Sequence, residues 1–196
     1  ASLLDEGTAA AEAMQMIYGI ANKKLKRTPK TKCLVADHIF PQTIDVLKNR
    51  ATPQGIDLEI ANPLEVTLNE SYFAMILQYP NGYGSIEDIS ALIKEAKDKG
   101  IYVIIIADIL ALTLLKSPGN LGVDVAVGST QRLGIPIGFG GPHAAYFACR
   151  EAYKRQIPGR IIGVSKDKHG NNALRMALQT REHHIKRERA TSNICT

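Results

Sequence analysis

The chain has 196 residues, 45% of them hydrophobic and 22% charged, with a formal net charge of +5 and a pI near 9.1. This length and composition predict one globular domain with a buried core. The longest apolar run, residues 101–107, is far too short to cross a bilayer, and no basic start followed by an apolar segment opens the chain. We therefore expect no membrane span and no export signal.

Cysteine usage indicates the redox compartment, and the charge distribution indicates the class of binding partner. Cys33, Cys149 and Cys195 are odd in number and widely spaced, which disfavours a disulfide framework or a zinc site and favours a reducing compartment. The basic excess lies in residues 23–27 and in the tail rather than in one aromatic-laced stripe, so an acidic protein partner fits it at least as well as a nucleic acid. The chain starts without methionine and neither end resembles a natural terminus, so we expect a fragment of a longer chain.

The first hundred residues predict alternating helices and strands. An alanine-rich helix follows Thr8 as its N-cap, with apolar residues at three- and four-residue steps. Short apolar runs ended by turn residues predict strands, and helix formers opened by a cap or a proline predict helices. The predicted elements are a helix at 9–18, a strand at 33–36, a helix that opens at 37–41 and runs to about residue 50, strands at 57–60 and 72–78, and a helix at 85–99.

The second half continues the alternation. It predicts a strand at 102–107, a helical or irregular piece to residue 115, strands at 123–127 and 144–149, a short helix at 150–156, and a helix from residue 172 to about residue 190 with a strongly basic end. Continuous β-branched runs between helices predict an α/β fold with a mostly parallel central sheet and helices on both faces. We expect a single domain over 1–190, in which 172–196 form a C-terminal helix and tail that lead to a missing segment.

A carboxylate stands directly after the most apolar predicted strand. In an open parallel sheet, ligands gather at the carboxyl ends of the strands, and Asp108 follows the run at 102–107. A buried carboxylate there could hold a protonated ring nitrogen and keep a pyridine cofactor cationic. The alternative is an N-cap for residues 109–112, which the pattern alone favours.

The segment Gly138-Phe-Gly-Gly-Pro-His143 is a second candidate site. Its backbone amides could approach a phosphate or a partner chain, but it lacks the glycine spacing of a dinucleotide-binding turn and the lysine of a phosphate loop. The pattern alone favours a tight turn between two strands, where glycine supplies positive φ. His143 could donate a hydrogen bond into a pocket, although a histidine after proline is more often a surface or cap residue.

Other chemistries find no support in the pattern. Ser129 does not lie in the glycine-flanked elbow of a serine hydrolase. His183 and His184 are adjacent, so on a helix their side chains diverge by roughly 100° and cannot share one metal ion. We expect no metal site. The mixed charges at 181–189 favour a solvated or docking face over a nucleic-acid-binding helix.

Five long and specific blocks lie at residues 1–13, Gly128-Ser-Thr-Gln-Arg132, 138–145, 158–164 and 178–195. Together they closely resemble the N-terminal half of the glycine cleavage system P protein family, and the resemblance covers essentially the whole chain. That family has two tandem copies of the aspartate aminotransferase type fold, fold type I of the pyridoxal phosphate enzymes. The C-terminal copy carries the cofactor lysine, and this chain is similar to the large domain of the N-terminal copy.

The resemblance implies that this half does not run the chemistry. Asp108 stands where the catalytic copy keeps its pyridinium carboxylate, and Gln131 stands near the Schiff-base lysine position. No lysine occurs from residue 117 to residue 153, and glutamine cannot form an imine. The resemblance therefore implies no catalytic residue in this fragment, with Asp108, Gln131 and His143 as vestigial positions.

The implied phosphate pocket also departs from the working pattern. Asp5 and Glu6 precede the first helix where a phosphate dianion would need hydrogen-bond donors, and two carboxylates there would repel it. We therefore expect pyridoxal phosphate in the other half of the enzyme and none on this fragment. The fragment would complete the interface between the two halves and form a wall of its partner's active site.

The family implies an oxidoreductase that decarboxylates glycine and passes the aminomethyl group to the lipoyl H protein. The implied partners are glycine, the H protein and the lysine-bearing C-terminal half, in the same chain or as a separate subunit, in a bacterial cytoplasm or, alternatively, a mitochondrial matrix. Two other hypotheses stay open: a free-standing phosphate- or nucleotide-binding α/β module that uses the loop at 138–141, and a nucleic-acid binder that uses the basic tail, which would bind with steep salt dependence.

Overall fold

The computed structural model describes residues 1–25, 28–159 and 161–178. The helices are α1 (Glu6–Ala21), α2 (Pro41–Ala51), α3 (Ser90–Asp98) and the single turn α4 (Pro118–Leu121). The strands are β1 (Ser2–Leu3), β2 (Lys32–Ala36), β3 (Asp57–Ala61), β4 (Tyr72–Tyr79), β5 (Tyr102–Ala107), β6 (Val125–Ser129), β7 (Ala145–Cys149), β8 (Ile161–Lys166) and β9 (Asn172–Leu178). Short 3₁₀ turns lie at Thr52–Gln54, Ala111–Thr113, Gln131–Leu133 and Glu151–Tyr153.

A seven-stranded sheet in the order β1-β7-β6-β5-β4-β2-β3 forms the body of the molecule. The strands from β3 to β6 run parallel to one another, and β7 joins β6 antiparallel. The carboxyl ends of these parallel strands therefore meet at one edge of the sheet, where polar side chains can converge. This confirms the predicted fold class.

The core lies at the centre of the sheet. All eight residues of β4 are buried, and because successive side chains of a strand point to opposite faces, both faces of the sheet must be covered there. The helix α1 packs across β4, β5 and β6 and also contacts α2. Its neighbours can approach closely because four of its residues are small and fully buried, namely Ala9, Ala10, Ala11 and Ala13. None of the helices in the described residues combines the length and the apolar character needed to span a bilayer.

The first helix begins earlier than the sequence predicts. Asp5, not Thr8, is the N-cap: its Oδ1 accepts a hydrogen bond from the Thr8 amide at 2.9 Å, and the Thr8 Oγ1 accepts one from the Asp5 amide at 3.3 Å. Thr8 is thus the third residue of a capping box rather than the cap itself. The correction matters because it brings Glu6 into the first turn of the helix.

The helix predicted from residue 172 is wrong in its first part. Residues 172–178 form β9, which pairs antiparallel with β8 in a separate two-stranded sheet. The turn between them is held by Asp167, whose Oδ1 accepts the amides of His169 at 2.8 Å and Asn171 at 3.0 Å, and Gly170 supplies φ +86°. The rest of the predicted helix, the His183–His184 pair and the tail lie outside the described residues.

Candidate functional site

A cleft of about 500 Å³ opens at the carboxyl ends of β4, β5 and β6. Each strand or its following loop contributes to the lining: Asn81 and Tyr83 after β4, Asp108 after β5, and Ser129 at the end of β6. Glu6 reaches the same cleft from the first turn of α1. The place is the one expected for a ligand in a parallel α/β sheet, so it is the candidate functional site.

Asp108 caps a turn and also lines the cleft. Its Oδ1 accepts a hydrogen bond from the Leu110 amide at 3.0 Å and so caps the turn after β5. Its Oδ2 lies 3.6 Å from Nε of Arg132, and the Asp108 side chain is 31% exposed. The cap alternative and the cleft position are therefore compatible, since each uses a different oxygen of one carboxylate.

Glu6 holds a second carboxylate in the cleft. Its Oε2 accepts a hydrogen bond from the Ser129 amide at 3.3 Å. Burial raises the pKa of Glu6, and the charges of Asp108 and Asp5 raise it further, while the Ser129 hydrogen bond opposes the rise. Asp5 meanwhile uses the Thr8 amide of the helix N-terminus. The two groups together fill the place at which a helix could receive a phosphate.

The three sequence candidates are not brought together. Gln131 begins the 3₁₀ turn after β6, and its backbone amide donates to Ser129 Oγ at 3.1 Å. The Gln131 side chain is not part of the cleft lining. His143 is exposed and also lies outside the lining. Arg132, which sequence reasoning missed, does line the cleft and pairs with Asp108.

Tyr146 of β7 packs between the carboxyl ends of β5 and β6. Its hydroxyl donates to the Ala107 carbonyl at 2.9 Å, where β5 ends. The ring crosses Gly128, and a Cβ atom there would lie 2.1 Å from the Ala107 oxygen and 2.8 Å from the Tyr146 ring. Burial raises the pKa of Tyr146, and the Glu6 and Asp108 charges add to the rise, so the hydroxyl stays protonated and donates. Gly128 is thus required by close packing.

The glycine-rich loop is a tight turn, as the pattern favours. The amides of Gly140 and Gly141 both donate to the Ile137 carbonyl, at 3.2 and 2.9 Å, and Gly138 and Gly140 have φ values of +49° and +105°. These amides already have an acceptor and do not point at an open phosphate site. The phosphate-binding alternative for this loop therefore gains no support from the geometry.

Large apolar side chains are exposed on the loops around this edge of the sheet. Tyr83 after β4 is 86% exposed, Leu114 after β5 is 92% exposed, and Ile137 and Phe139 after β6 are 77% and 111% exposed. Exposed apolar residues that collect on one face are typical of an interaction surface. Within the described residues, no group of three or more histidine, cysteine, aspartate or glutamate side chains is arranged to hold a metal ion.

Comparison with solved structures supports the fold and points to a family. A crystal structure of glycine decarboxylase (P-protein) of the glycine cleavage system, in inhibitor-bound form, matches with a TM-score of 0.87 and 34% identity, over 100% of this chain and 44% of that chain. Sphingosine-1-phosphate lyase of Burkholderia pseudomallei matches with a TM-score of 0.59 and 16% identity, over 89% of this chain and 43% of that one. The second match shows the fold alone.

Sequence comparison covers the whole chain. Glycine dehydrogenase (decarboxylating) of Flavobacterium johnsoniae is 55% identical over 196 residues, which are 100% of this chain and 21% of that protein. The chain thus spans about a fifth of the length of the curated relatives it matches. The family model described as glycine cleavage system P-protein matches residues 1–196. The chain therefore belongs to the glycine cleavage system P-protein family.

Proposed function

We propose that this chain is the non-catalytic large domain of the N-terminal half of a pyridoxal phosphate dependent glycine decarboxylase. The whole enzyme would decarboxylate glycine and transfer the aminomethyl group to the lipoyl H protein, as the family implies. The observation that carries the non-catalytic role is the charge arrangement of the cleft, in which Asp108 is paired with Arg132 and Glu6 adds a second carboxylate.

The residues of the cleft do not fit pyridoxal phosphate. The lining drawn from the described residues holds no lysine, and an arginine guanidinium is not a nucleophile for a carbonyl. Glu6 lies where the phosphate dianion would need donors, and Asp108 already has Arg132 as its cation. Glu6 would thus repel the phosphate group of the cofactor, and Arg132 would compete with the cofactor ring for Asp108.

The exposed apolar rim supports a role in walling a partner's active site. The loops that carry Tyr83, Leu114 and Phe139 all follow carboxyl ends of parallel strands. We infer that they pack against the lysine-bearing half of the P protein. The complete relatives are about five times as long as this chain, so they contain such a further part. The cleft then faces the partner's chemistry from outside and shapes the space in which glycine is held.

The remaining partners follow from charge and family. A formal charge of +5 suits an encounter with an acidic carrier, which the H protein would provide. The relatives named above are bacterial, and we infer that the protein works in the bacterial cytoplasm. Neither a membrane nor a nucleic acid is needed for this role.

Trapping of the cofactor tests the non-catalytic role. The complete protein is mixed with pyridoxal phosphate, reduced with borohydride and digested, and we expect the reduced pyridoxyl group on a lysine outside residues 1–196. In the matched variant that combines Glu6→Gln with Arg132→Lys, the opposing carboxylate is removed and an amine is supplied, so additional trapping at position 132 is expected. Stoichiometric trapping on a lysine within residues 1–196 of the unsubstituted protein would overturn the proposal.

A further inference from the structure

The tip of the loop between β6 and β7 presents a phenylalanine in an unfavourable backbone conformation. Phe139 has φ +55°, and it is the one residue other than glycine with positive φ in the part of the chain that the structure describes. In that region the Cβ atom crowds the backbone, so glycine or asparagine is normally found there. A bulky aromatic residue at this place needs a compensating reason.

The rest of the loop is built to hold this conformation. Gly138 turns so sharply that a Cβ atom would lie 2.4 Å from the Gly141 carbonyl oxygen. The Ile137 carbonyl accepts both the Gly140 and the Gly141 amide, which closes the turn. At its base, Thr130 donates from its amide and its hydroxyl to the Ala144 carbonyl, at 2.9 and 3.1 Å. The tip is therefore a hydrogen-bonded tight turn rather than an open loop.

No compensating contact for Phe139 is found in the part of the chain that the structure describes. Phe139 is 111% exposed, and the neighbouring Ile137 and Leu133 are 77% and 63% exposed. From residue 133 to residue 149 the sequence contains no aspartate, glutamate, lysine or arginine. An uncharged turn with a fully exposed aromatic ring at its tip is suited to act as an anchor, a residue that becomes buried in a pocket on the partner when two proteins bind.

We infer that Phe139 is an anchor residue, whose ring inserts into an apolar pocket on the lysine-bearing half of the P protein. The inference rests on the proposed function, since it takes that half as the occupant. The loop that carries Phe139 leaves β6 directly after Ser129, a residue of the cleft lining, so it starts from the same edge of the sheet as the loop of Tyr83. The relatives supply the occupant, because about four fifths of their length lies outside the region matched by this chain.

Photo-crosslinking in the complete protein tests the anchor. The amino acid p-benzoyl-phenylalanine replaces Phe139 in one variant, Tyr83 in a second and Lys48 in a third. Lys48 is the matched control, because its side chain is 55% exposed on α2, away from the rim. After illumination, peptide mapping should find position 139 joined to one segment outside residues 1–196, at a yield at least tenfold above that of position 48.

The three positions separate the inference from the function on which it rests. Crosslinks from position 83 but not from position 139 would overturn the anchor and leave the interface intact. Crosslinks from neither position to the lysine-bearing half would overturn both, and crosslinks from position 139 to a second copy of residues 1–196 would assign the tip to another interface and overturn the anchor.

A second variant measures whether the contact holds the interface together. Phe139→Asn keeps a residue that tolerates positive φ, so the loop should fold as before. With the crosslinker at position 83, this substitution should lower the crosslinking yield severalfold, because the rim has lost its anchor. An unchanged yield would mean that the ring does not anchor the interface.

Discussion

Asp124 and Asp108 lie at opposite ends of two neighbouring parallel strands, since Asp124 immediately precedes β6 and Asp108 immediately follows β5. The Asp124 side chain is 0% exposed, and Lys97 Nζ donates to both of its oxygens, at 2.7 and 2.8 Å. The Val103 amide and the Tyr153 hydroxyl donate to it as well, at 2.9 and 3.2 Å. Asp108 has one amide donor and one loosely placed cation.

The difference separates a carboxylate that builds the fold from one that belongs to a site. At the amino end of β6, Lys97, Val103 and Tyr153 all donate hydrogen bonds to Asp124. Burial together with the Asp124 charge raises the pKa of Tyr153 to about 12, so this tyrosine remains a donor. At the carboxyl end of β5, Asp108 and Glu6 share an open cleft with Arg132. We therefore expect a loss of Asp124 to affect stability more than a loss of Asp108.

Removal of the buried carboxylate should have the largest effect. Asp124→Ala leaves the Lys97 ammonium and the Val103 amide without their acceptor, and the loss of one member of a buried pair costs about 3–5 kcal/mol. Urea denaturation should show this decrease in the free energy of unfolding. The control is Asp45→Ala, which breaks only the exposed pair with Lys48 and should change stability by less than about 0.5 kcal/mol. Similar effects for the two variants would contradict the contrast drawn between the two edges.

Gly128→Ala should have the next largest effect. The added methyl group would overlap the Ala107 carbonyl and push the Tyr146 ring from its place over β6. Overpacking of this kind costs about 1–3 kcal/mol, and thermal unfolding monitored by circular dichroism should show the lower midpoint. Gly119→Ala is the matched control, because a Cβ atom there meets nothing within 4 Å. If the midpoints of the two variants agree, the packing around Gly128 accommodates a methyl group more easily than its geometry indicates.

The fold could be predicted where one physical term dominates. The run at 102–107 is apolar without interruption, and a strand buried on both faces is the only short element that uses such a run, so β5 matches its predicted bounds. At 172–178, by contrast, leucine, alanine and methionine favour a helix by propensity. The Asp167 turn favours a hairpin, and pairing with β8 decides the outcome.

The site could be predicted in position but not in detail. The rule that ligands gather at strand ends is enough to select Asp108 and the end of β6. The 3₁₀ turn at Gln131–Leu133 decides which side chain after β6 lines the cleft. It places Arg132, and not Gln131, in the lining. A turn of three residues has no periodicity from which this rotation can be read, although the opposite charges of Asp108 and Arg132 are a hint of their contact.

Asp108→Asn should have a small effect on stability. The ion pair with Arg132 is long, at 3.6 Å, and the arginine side chain is 60% exposed, so its loss costs about 0.2–1 kcal/mol at low salt and less when salt screens it. The loss is offset in part, because the substitution also removes a charge that repels Glu6. Urea denaturation in low and high salt checks this result, and a loss as large as that of Asp124→Ala would place Asp108 among the fold-building residues.

The smallest effect is expected in the titration of Glu6, which reports on the cleft alone. Its raised pKa means that the folded state holds the proton more tightly than the unfolded chain does. Stability should therefore fall as the pH rises from the ordinary glutamate range through the pKa of the folded state, and then level off. Glu6→Gln should abolish this part of the pH dependence, because the amide does not titrate.

Carbon-detected NMR of the Glu6 carboxyl group measures the same shift directly. In Asp108→Asn, the pKa of Glu6 should move down toward its ordinary value, since one repelling charge is gone, whereas burial keeps part of the rise. Asp45→Asn, on the exposed side of α2, should leave the titration unchanged. A Glu6 pKa that ignores Asp108 would mean that the two carboxylates do not share one cleft, and the charge argument against a bound phosphate would then rest on Glu6 and Asp5 alone.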